Sequence, residues 1–434
     1  MEDGAYRHAI DGDPQALLRA MFDAAVASAQ AGNCVPPNLP SPPPGRTVVV
    51  GAGKATAAMA QAVEDNWTGD LSGLVITRYG HEVPCKRIEV RSAAHPVPDQ
   101  NGVAATLEML ARLEGLTADD LVICLLSGGA SALLAAPAER VALPDLQQLT
   151  SALLRSGADI GAINTVRKHL LRAAGGKLAL AARPARLVTL AISDVAGDDP
   201  SAIGSGPTVG DPTTRTDALA VLDRYRISPP PAVRAWLEDP ASETPVTSQI
   251  PKSEYRLIAG ARSALDAASS LARQAGYEPL ILGEAVGEAR EVAESQADLV
   301  KSLTERGSSP APPCVLLSGG ETTVTVAGDG RGGRNTEFLL ALLLALGAIP
   351  HVHALAADTD GIDGSEDNAG AIISPDTLER VRGAGHDPAA FLARNDSYGF
   401  FEKLGALVIT GPTLTNVNDF RAILIDRPHS GAAA

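Results

Sequence analysis

The sequence predicts an α/β protein of two α/β/α three-layer domains with a cleft between them, and three observations carry that expectation. Apolar runs of strand length (LSGLVIT, RIEVRSA, LVICLLS, ARLVTLAIS) alternate with Ala/Leu-rich helical stretches, the pattern of a parallel sheet flanked by helices. A second series of the same kind follows, in YRLIAGARSALDAA, EPLILGE, CVLLSGGETTVTV, HVHALAAD and ALVITG. Between them SPPPAVRAWLEDPASETPVTSQIPKS, Ser228 to Ser253, is dense in Pro, Ser and Thr and reads as the connection. At 434 residues the chain exceeds one ordinary hydrophobic core, so the expected domains are residues 1–240 and 250–434. Ligands of open α/β sheets bind beyond the carboxyl ends of the strands, which is where a cleft would gather chemistry.

Composition narrows the partners. A formal net charge of −15 argues against nucleic acid and against an anionic membrane, because both require a basic face. Aromatic residues make up only 3%, so the core must be built from Ala, Leu, Val and Ile. Cys34, Cys85, Cys124 and Cys314 are scattered without metal spacing and read as reduced thiols of a cytoplasmic protein. The N-terminal MEDGAYRHAIDGDP shows no cationic segment leading into an apolar one. The longest apolar run, Phe338 to Ile349, is too short to span a bilayer. A monomer and a homodimer are both compatible with this composition.

Each element then has a local reason. Asp13-Pro14 before QALLRAMFDAAVASA is an N-cap followed by proline at the first helical position, with Leu17, Leu18, Met21 and Phe22 on one face. TVVVGAGKATA, Thr47 to Ala57, is a buried strand broken by Gly51 and Gly53 and followed at once by a helix. It fits neither the dinucleotide fingerprint, which needs glycine where Thr56 stands, nor the P-loop, which needs glycine at Val48 and Ser or Thr at Ala55. Lys54 is still a cation at a helix start, a place that favours anions, although the same spelling also serves a tight turn with a solvated lysine.

Four more stretches resemble ligand edges. In LVICLLSGGASALL a strand ends in Ser127-Gly128-Gly129 and runs into a helix, which gives either an anion seat or a plain βα turn. ARLVTLAISD delivers Asp194 at a strand end, with Asp198 and Asp199 close behind as further carboxylates or as helix caps. AADTDGIDGSEDNAG crowds Asp358, Asp360, Asp363, Glu366 and Asp367 into one loop that fails the EF-hand spacing, and Asp360 beside Gly361 is the expected ligand-facing member. GRGGRNTEF sets Arg331 and Arg334 just before a Leu-rich helix, and Arg334 adjoins the helix start. The halves also echo one another, LLSGGASALL against LLSGGETTVTV and GSGPT against TGPTLTN, through duplication or independent glycine turns.

Together Lys54 and Arg334 as cations, the Ser127 to Gly129 turn, and Asp194 and Asp360 as strand-end carboxylates form the equipment of phosphoryl transfer. Strand-end carboxylates are also what Mg²⁺ uses alongside water and substrate phosphates, which makes Asp194 and Asp360 the metal candidates. No GxSxG elbow and no HExxH helix is present, so a serine hydrolase and a zinc hydrolase are not expected.

GAGKATAAMA, SGGASALL, INTVRKHLLRAAGGKLA, SDVAGDDPSAIGSGPT, LSGGETTVTVAGDGRGGRNTEF, DTDGIDG and TGPTLTNVNDFR, in that order, resemble successive motifs of the class II glycerate 2-kinases with a C-terminal MOFRL domain. The resemblance implies ATP-dependent phosphorylation of D-glycerate at its second carbon, with Mg²⁺, in a cleft between two α/β domains. It implies catalytic roles for Lys54, Asp194 and Arg334. It adds a binding set of Gly51, Gly53, Ser127, Gly128, Gly129, Ser131, Asn164 and Asp360. Ala196 stands where the family usually has proline, and Thr336 where it has glutamine. The rival readings are a hydroxypyruvate reductase using NAD(P)H, with Arg78 near an NADP phosphate, and a non-catalytic anion sensor. The missing third glycine speaks against the reductase and the intact carboxylate set against the sensor.

Overall fold

Thr47–Ala52 (β1), Leu71–Arg78 (β2), Ile88–Ala93 (β3), Leu121–Leu126 (β4), Arg186–Ile192 (β5) and Ser253–Ala259 (β6) form one sheet in the order β3-β2-β1-β4-β5-β6. The structure is a computed structural model that describes residues 13–250, 253–305, 309–347 and 349–427. The N-terminal MEDGAYRHAIDG lies outside the described residues. Pairs β1/β2, β1/β4, β2/β3 and β4/β5 are all parallel, so every loop leaving β1, β4 and β5 opens at the same edge. Strands β1 and β4 are buried along their whole length, as covered parallel strands require, and this explains their unbroken apolar spelling.

The second sheet holds Glu278–Glu284 (β7), Cys314–Gly319 (β9), Val352–Asp358 (β11), Gly370–Ile373 (β12), Leu407–Val408 (β13) and Asp419–Ile425 (β14), in the order β13-β12-β11-β14-β9-β7. The two-residue strands Gly287–Glu288 (β8) and Thr322–Thr323 (β10) pair separately. This sheet is mixed rather than parallel: β11 runs antiparallel to β12 and to β14, and β14 antiparallel to β9. Central strand β14 escapes a reading by apolar runs because it begins Asp-Phe-Arg. Those two charges are fully buried and pair with each other, Arg421 donating to Asp419 at 2.5 Å. Helix Arg334–Leu346 fills the core beside this sheet, with Phe338 to Leu343 buried on all sides.

The domain boundaries differ from the sequence expectation at both ends. The chain up to Gln30 and from Ala259 onward forms one compact unit, and Ala31–Ile258 the other. The first helix, Pro14–Ala29, packs against helix Ala261–Gln274 of the first of these units. Asp13 caps it, accepting the Gln15 amide at 2.9 Å, and the Phe22 ring lies 6.0 Å from that of Phe420 in β14. Strand β6, spelled YRLIA, joins the first sheet, and the Pro/Ser-rich stretch before it folds there as helix Pro231–Glu238 and two short 3₁₀ turns. Backbone pairing to β5 outweighs the disorder-like composition of that stretch. Phe22→Ala should therefore destabilise the unit that contains β14 by about 3–5 kcal/mol, a loss read from its urea unfolding transition.

Candidate active site

Two βα turns at the carboxyl ends of neighbouring strands lock into each other. The Lys54 amide donates to the Gly128 carbonyl at 2.8 Å, and the Ser127 amide to the Ala52 carbonyl at 3.2 Å. Ser127 Oγ, 2% exposed, accepts the Ala55 amide at 3.0 Å and lies 3.2 Å from Thr56 Oγ1. It thereby caps helix Thr56–Asn66 from another strand. The hydroxyl expected to meet a ligand therefore also serves the scaffold. Glycine is required by this approach: a Cβ on Gly53 would overlap Ser127 Oγ, and one on Gly51 the Leu125 carbonyl.

The same economy of side chains brings the chemistry together. Asp194, half-buried just past β5, lays its carboxylate against the Cα of Gly128, where any Cβ would overlap Oδ2. Gly129 has φ +84°, and a Cβ there would stand 3.1 Å from His95 Cδ2, 3.2 Å from His95 Nε2 and 3.6 Å from Lys54 Cγ. Lys54, His95 and Asp194 thus border one glycine pair. Burial pushes the His95 imidazole down to about 4, and the positive charges of Lys54, Arg78, Arg167 and His81 push the same way. His95 is accordingly a neutral imidazole at pH 7 within a strongly positive field.

Ser131 and Asn164 belong to the same neighbourhood. Ser205 Oγ sits 2.8 Å from Ser131 Oγ and 3.1 Å from Asn164 Oδ1, and Asn164 Nδ2 donates to the Ala202 carbonyl at 3.4 Å. Arg167 follows Asn164 by three places on helix Ile160–Leu170, hence on the same face. Sequence reasoning passed over His95 and Arg167 as site residues and met Arg78 only in the reductase reading. The available signal for Arg167 was its i+3 spacing from Asn164, whereas the place of His95 depends on a loop that no periodicity announces.

Arg334 and Asp360 stand in the other unit, each with work of its own. Arg334 donates from Nε to Asp419 at 2.8 Å, from one terminal nitrogen to Glu321 at 2.6 Å and from the other to Asp358 at 2.7 Å. Burial opposes its charge, but Asp419, Asp358 and Glu321 outweigh burial and hold its proton more tightly than usual. The guanidinium expected to hold a ligand is thus engaged by three carboxylates and organises the acidic loop. Asp358 is pushed well above the usual carboxylate range by burial and by Asp360 and Asp419, with Arg334 working against that rise. Asp360 Oδ1 accepts the Ile362 amide at 2.9 Å, a local turn bond, while its own amide donates to Asp358 at 3.0 Å. Asp363 accepts the Asn335 and Thr336 amides, both at 2.9 Å, and so caps helix Arg334–Leu346. Thr336 Oγ1 adds a third bond to Asp363 at 2.8 Å, so this departure from the family spelling serves the cap. Removing Arg334 leaves Asp358, 5% exposed, without its guanidinium partner and takes one of two guanidinium partners from Asp419, 0% exposed. Arg334→Met should cost this unit about 3–5 kcal/mol in chemical denaturation, a loss that a purely ligand-holding arginine would not produce.

Comparison with known proteins completes the picture. Residues 17–238 match the Domain of unknown function (DUF4147), and residues 314–419 match the MOFRL family. The chain is 41% identical to a D-glycerate 2-kinase of Thermotoga maritima, over 94% of this chain and 98% of that protein. It is 40% identical to a glycerate 2-kinase of Pyrococcus horikoshii, over 86% of each. A protein of Agrobacterium vitis provisionally named as a hydroxypyruvate reductase is 54% identical over 98% of both chains. The crystal structure of a glycerate kinase from Thermotoga maritima superposes with a TM-score of 0.87 at 40% identity, covering 94% of this chain and 98% of that one. With both domain types in sequence order and full-length similarity of this kind, the chain belongs to the glycerate 2-kinase family that carries a C-terminal MOFRL domain.

Proposed function

We propose that the protein transfers the γ-phosphoryl group of ATP to the hydroxyl on the second carbon of D-glycerate, releasing ADP and 2-phosphoglycerate. The observation that carries this reading is the interlocked glycine turn that sets Lys54 and Asp194 on either side of one bare backbone edge. In phosphoryl transfer the protein's task is positioning and charge neutralisation. Lys54, at a helix start, neutralises the equatorial oxygens of the transferring group. Asp194 takes the proton of the attacking hydroxyl. The new bond joins that oxygen to the γ-phosphorus as the bond to the β-phosphate oxygen breaks, and the electron pair leaves with ADP.

Among the described residues no group of three His, Cys, Asp or Glu side chains forms a metal cage. Mg²⁺ does not need one, since it takes one or two carboxylates plus water and nucleotide phosphates. Asp194 fits that requirement within the unit Ala31–Ile258, and Asp360 is the corresponding candidate carboxylate within the other unit. When bound, the ion would supply neutralisation of phosphate charge. Arg334 enters the reading as a positioning residue, holding Asp358 and Asp419 in place around the loop of Asp360.

The reductase name among the relatives defines the second reading. Thr56 occupies the place of the third fingerprint glycine, the one that lets helix and strand pack closely, and its hydroxyl lies 3.2 Å from Ser127 Oγ instead. That packing favours the kinase.

The product assay is direct. Enzyme with ATP, Mg²⁺, D-glycerate and enolase, without phosphoglycerate mutase, should give phosphoenolpyruvate at once. Signal only after mutase addition overturns the regiochemistry, and NADPH oxidation by hydroxypyruvate without ADP release overturns the kinase. In the same assay Lys54→Ala should lower kcat by about 10²-fold or more. Gly128→Ala should lower kcat by about 10²-fold, because its methyl group displaces Asp194 while adding no charge.

A further inference from the structure

Arg167 is 8% exposed, on the face of helix Ile160–Leu170 that also carries Asn164. Other buried cations of the chain have evident partners. Arg421 pairs with Asp419 at 2.5 Å, the adjacent Lys168 pairs with Asp211 at 3.2 Å, and Lys177 Nζ donates to the Lys168 and Leu171 carbonyls at 2.8 and 2.9 Å. Among the described residues Arg167 has no such partner: its guanidinium makes no ion pair and donates no hydrogen bond, and burial alone pushes it down from the ordinary arginine range. A buried, unpaired guanidinium is costly, and proteins keep such groups where a ligand supplies the missing charge.

Its surroundings state what kind of ligand. Arg167 lies near His95, whose ring borders the Gly128-Gly129 edge shared with Lys54 and Asp194. On its helix face the neutral Asn164 joins Ser205 and Ser131 in a hydroxyl and amide cluster. Lys54, half-buried at the turn, suits the mobile phosphoryl group. A guanidinium on the helix face that carries Asn164 suits a small planar anion with hydroxyls on adjacent carbons, because its fork matches a carboxylate in two parallel hydrogen bonds.

We propose that Arg167 holds the carboxylate of the small hydroxy-acid substrate and so sets the enzyme's choice of acid over neutral polyol. The assignment rests on the kinase reading for the identity of that acid. An anchor there would place the hydroxyl next to the carboxylate, at the second carbon, within reach of Asp194.

Isothermal titration of the full chain with D-glycerate, with hydroxypyruvate and with ATP tests it. Arg167→Met should weaken D-glycerate about 100-fold, the loss of a charge-assisted bidentate pair, while ATP affinity stays within threefold. Arg167→Lys should weaken D-glycerate about tenfold, since the charge remains and the fork does not. The melting temperature of Arg167→Met should equal or exceed that of wild type, because the substitution removes an uncompensated buried charge. Unchanged glycerate affinity in either variant, or a parallel loss of ATP, overturns the proposal, and a large fall in melting temperature makes Arg167 structural and does the same. If wild type binds hydroxypyruvate but not D-glycerate, the kinase reading fails. Arg167 is then judged by the same variants titrated with hydroxypyruvate: a loss supports the carboxylate anchor and its absence refutes it.

Discussion

The interlock between the turns after β1 and β4 is the constraint on which the candidate site depends. Backbone of one turn donates to backbone of the next, from Lys54 to Gly128 and from Ser127 to Ala52, and the Ser127 hydroxyl caps the helix that follows Lys54. Such closeness is possible only without side chains, so Gly51, Gly53, Gly128 and Gly129 are structural before they are functional. Once the two turns are fastened, the backbone edge they share is bare, and Asp194 and His95 come to rest against it. The scaffold meets its own hydrogen-bonding needs and leaves Lys54 at a helix start, where the dipole favours anions. Preorganisation of this kind suits a reaction whose barrier lies mainly in charge and alignment.

Electrostatics divides the molecule in two. Despite an overall formal charge of −15, the neighbourhood of His95 collects Lys54, Arg78 and Arg167, and their field adds to burial in keeping that imidazole neutral. In the other unit the acidic residues dominate, with Asp358, Asp419 and Glu321 converging on Arg334 and Asp363 capping helix Arg334–Leu346. A partly exposed guanidinium with three carboxylates holds a loop together, whereas the buried guanidinium of Arg167 has none beside it. Residue type is the same in both places. The count of opposing charges differs.

Much of this was legible in the sequence. The turns at Lys54 and at Ser127 to Gly129, the strand-end position of Asp194 and the Asp13 cap all follow from contacts between chain neighbours, whose geometry the local spelling dictates. The alternation of strands and helices announced the α/β class for the same reason. Strand β14 was hidden because Asp419 and Arg421 look like surface residues until they are seen to neutralise each other inside the sheet. The first helix and β6 were placed with the wrong partners, since their apolar faces state that they must be covered but not by what.

By itself, then, the amino-acid sequence determined the α/β class, the glycine turns, the cation at a helix start and the carboxylate at a strand end. These are properties of short segments, set by backbone geometry and side-chain periodicity. The tertiary structure decided which partners the polar groups meet: Ser127 accepts an amide at a helix start, Arg334 meets three carboxylates, and Arg167 is buried with none. The reason is that the charge balance and hydrogen bonding of a buried group sum over elements far apart in the chain. Asp358 and Asp419 reach Arg334 from 24 and 85 residues away. No window of sequence contains that sum.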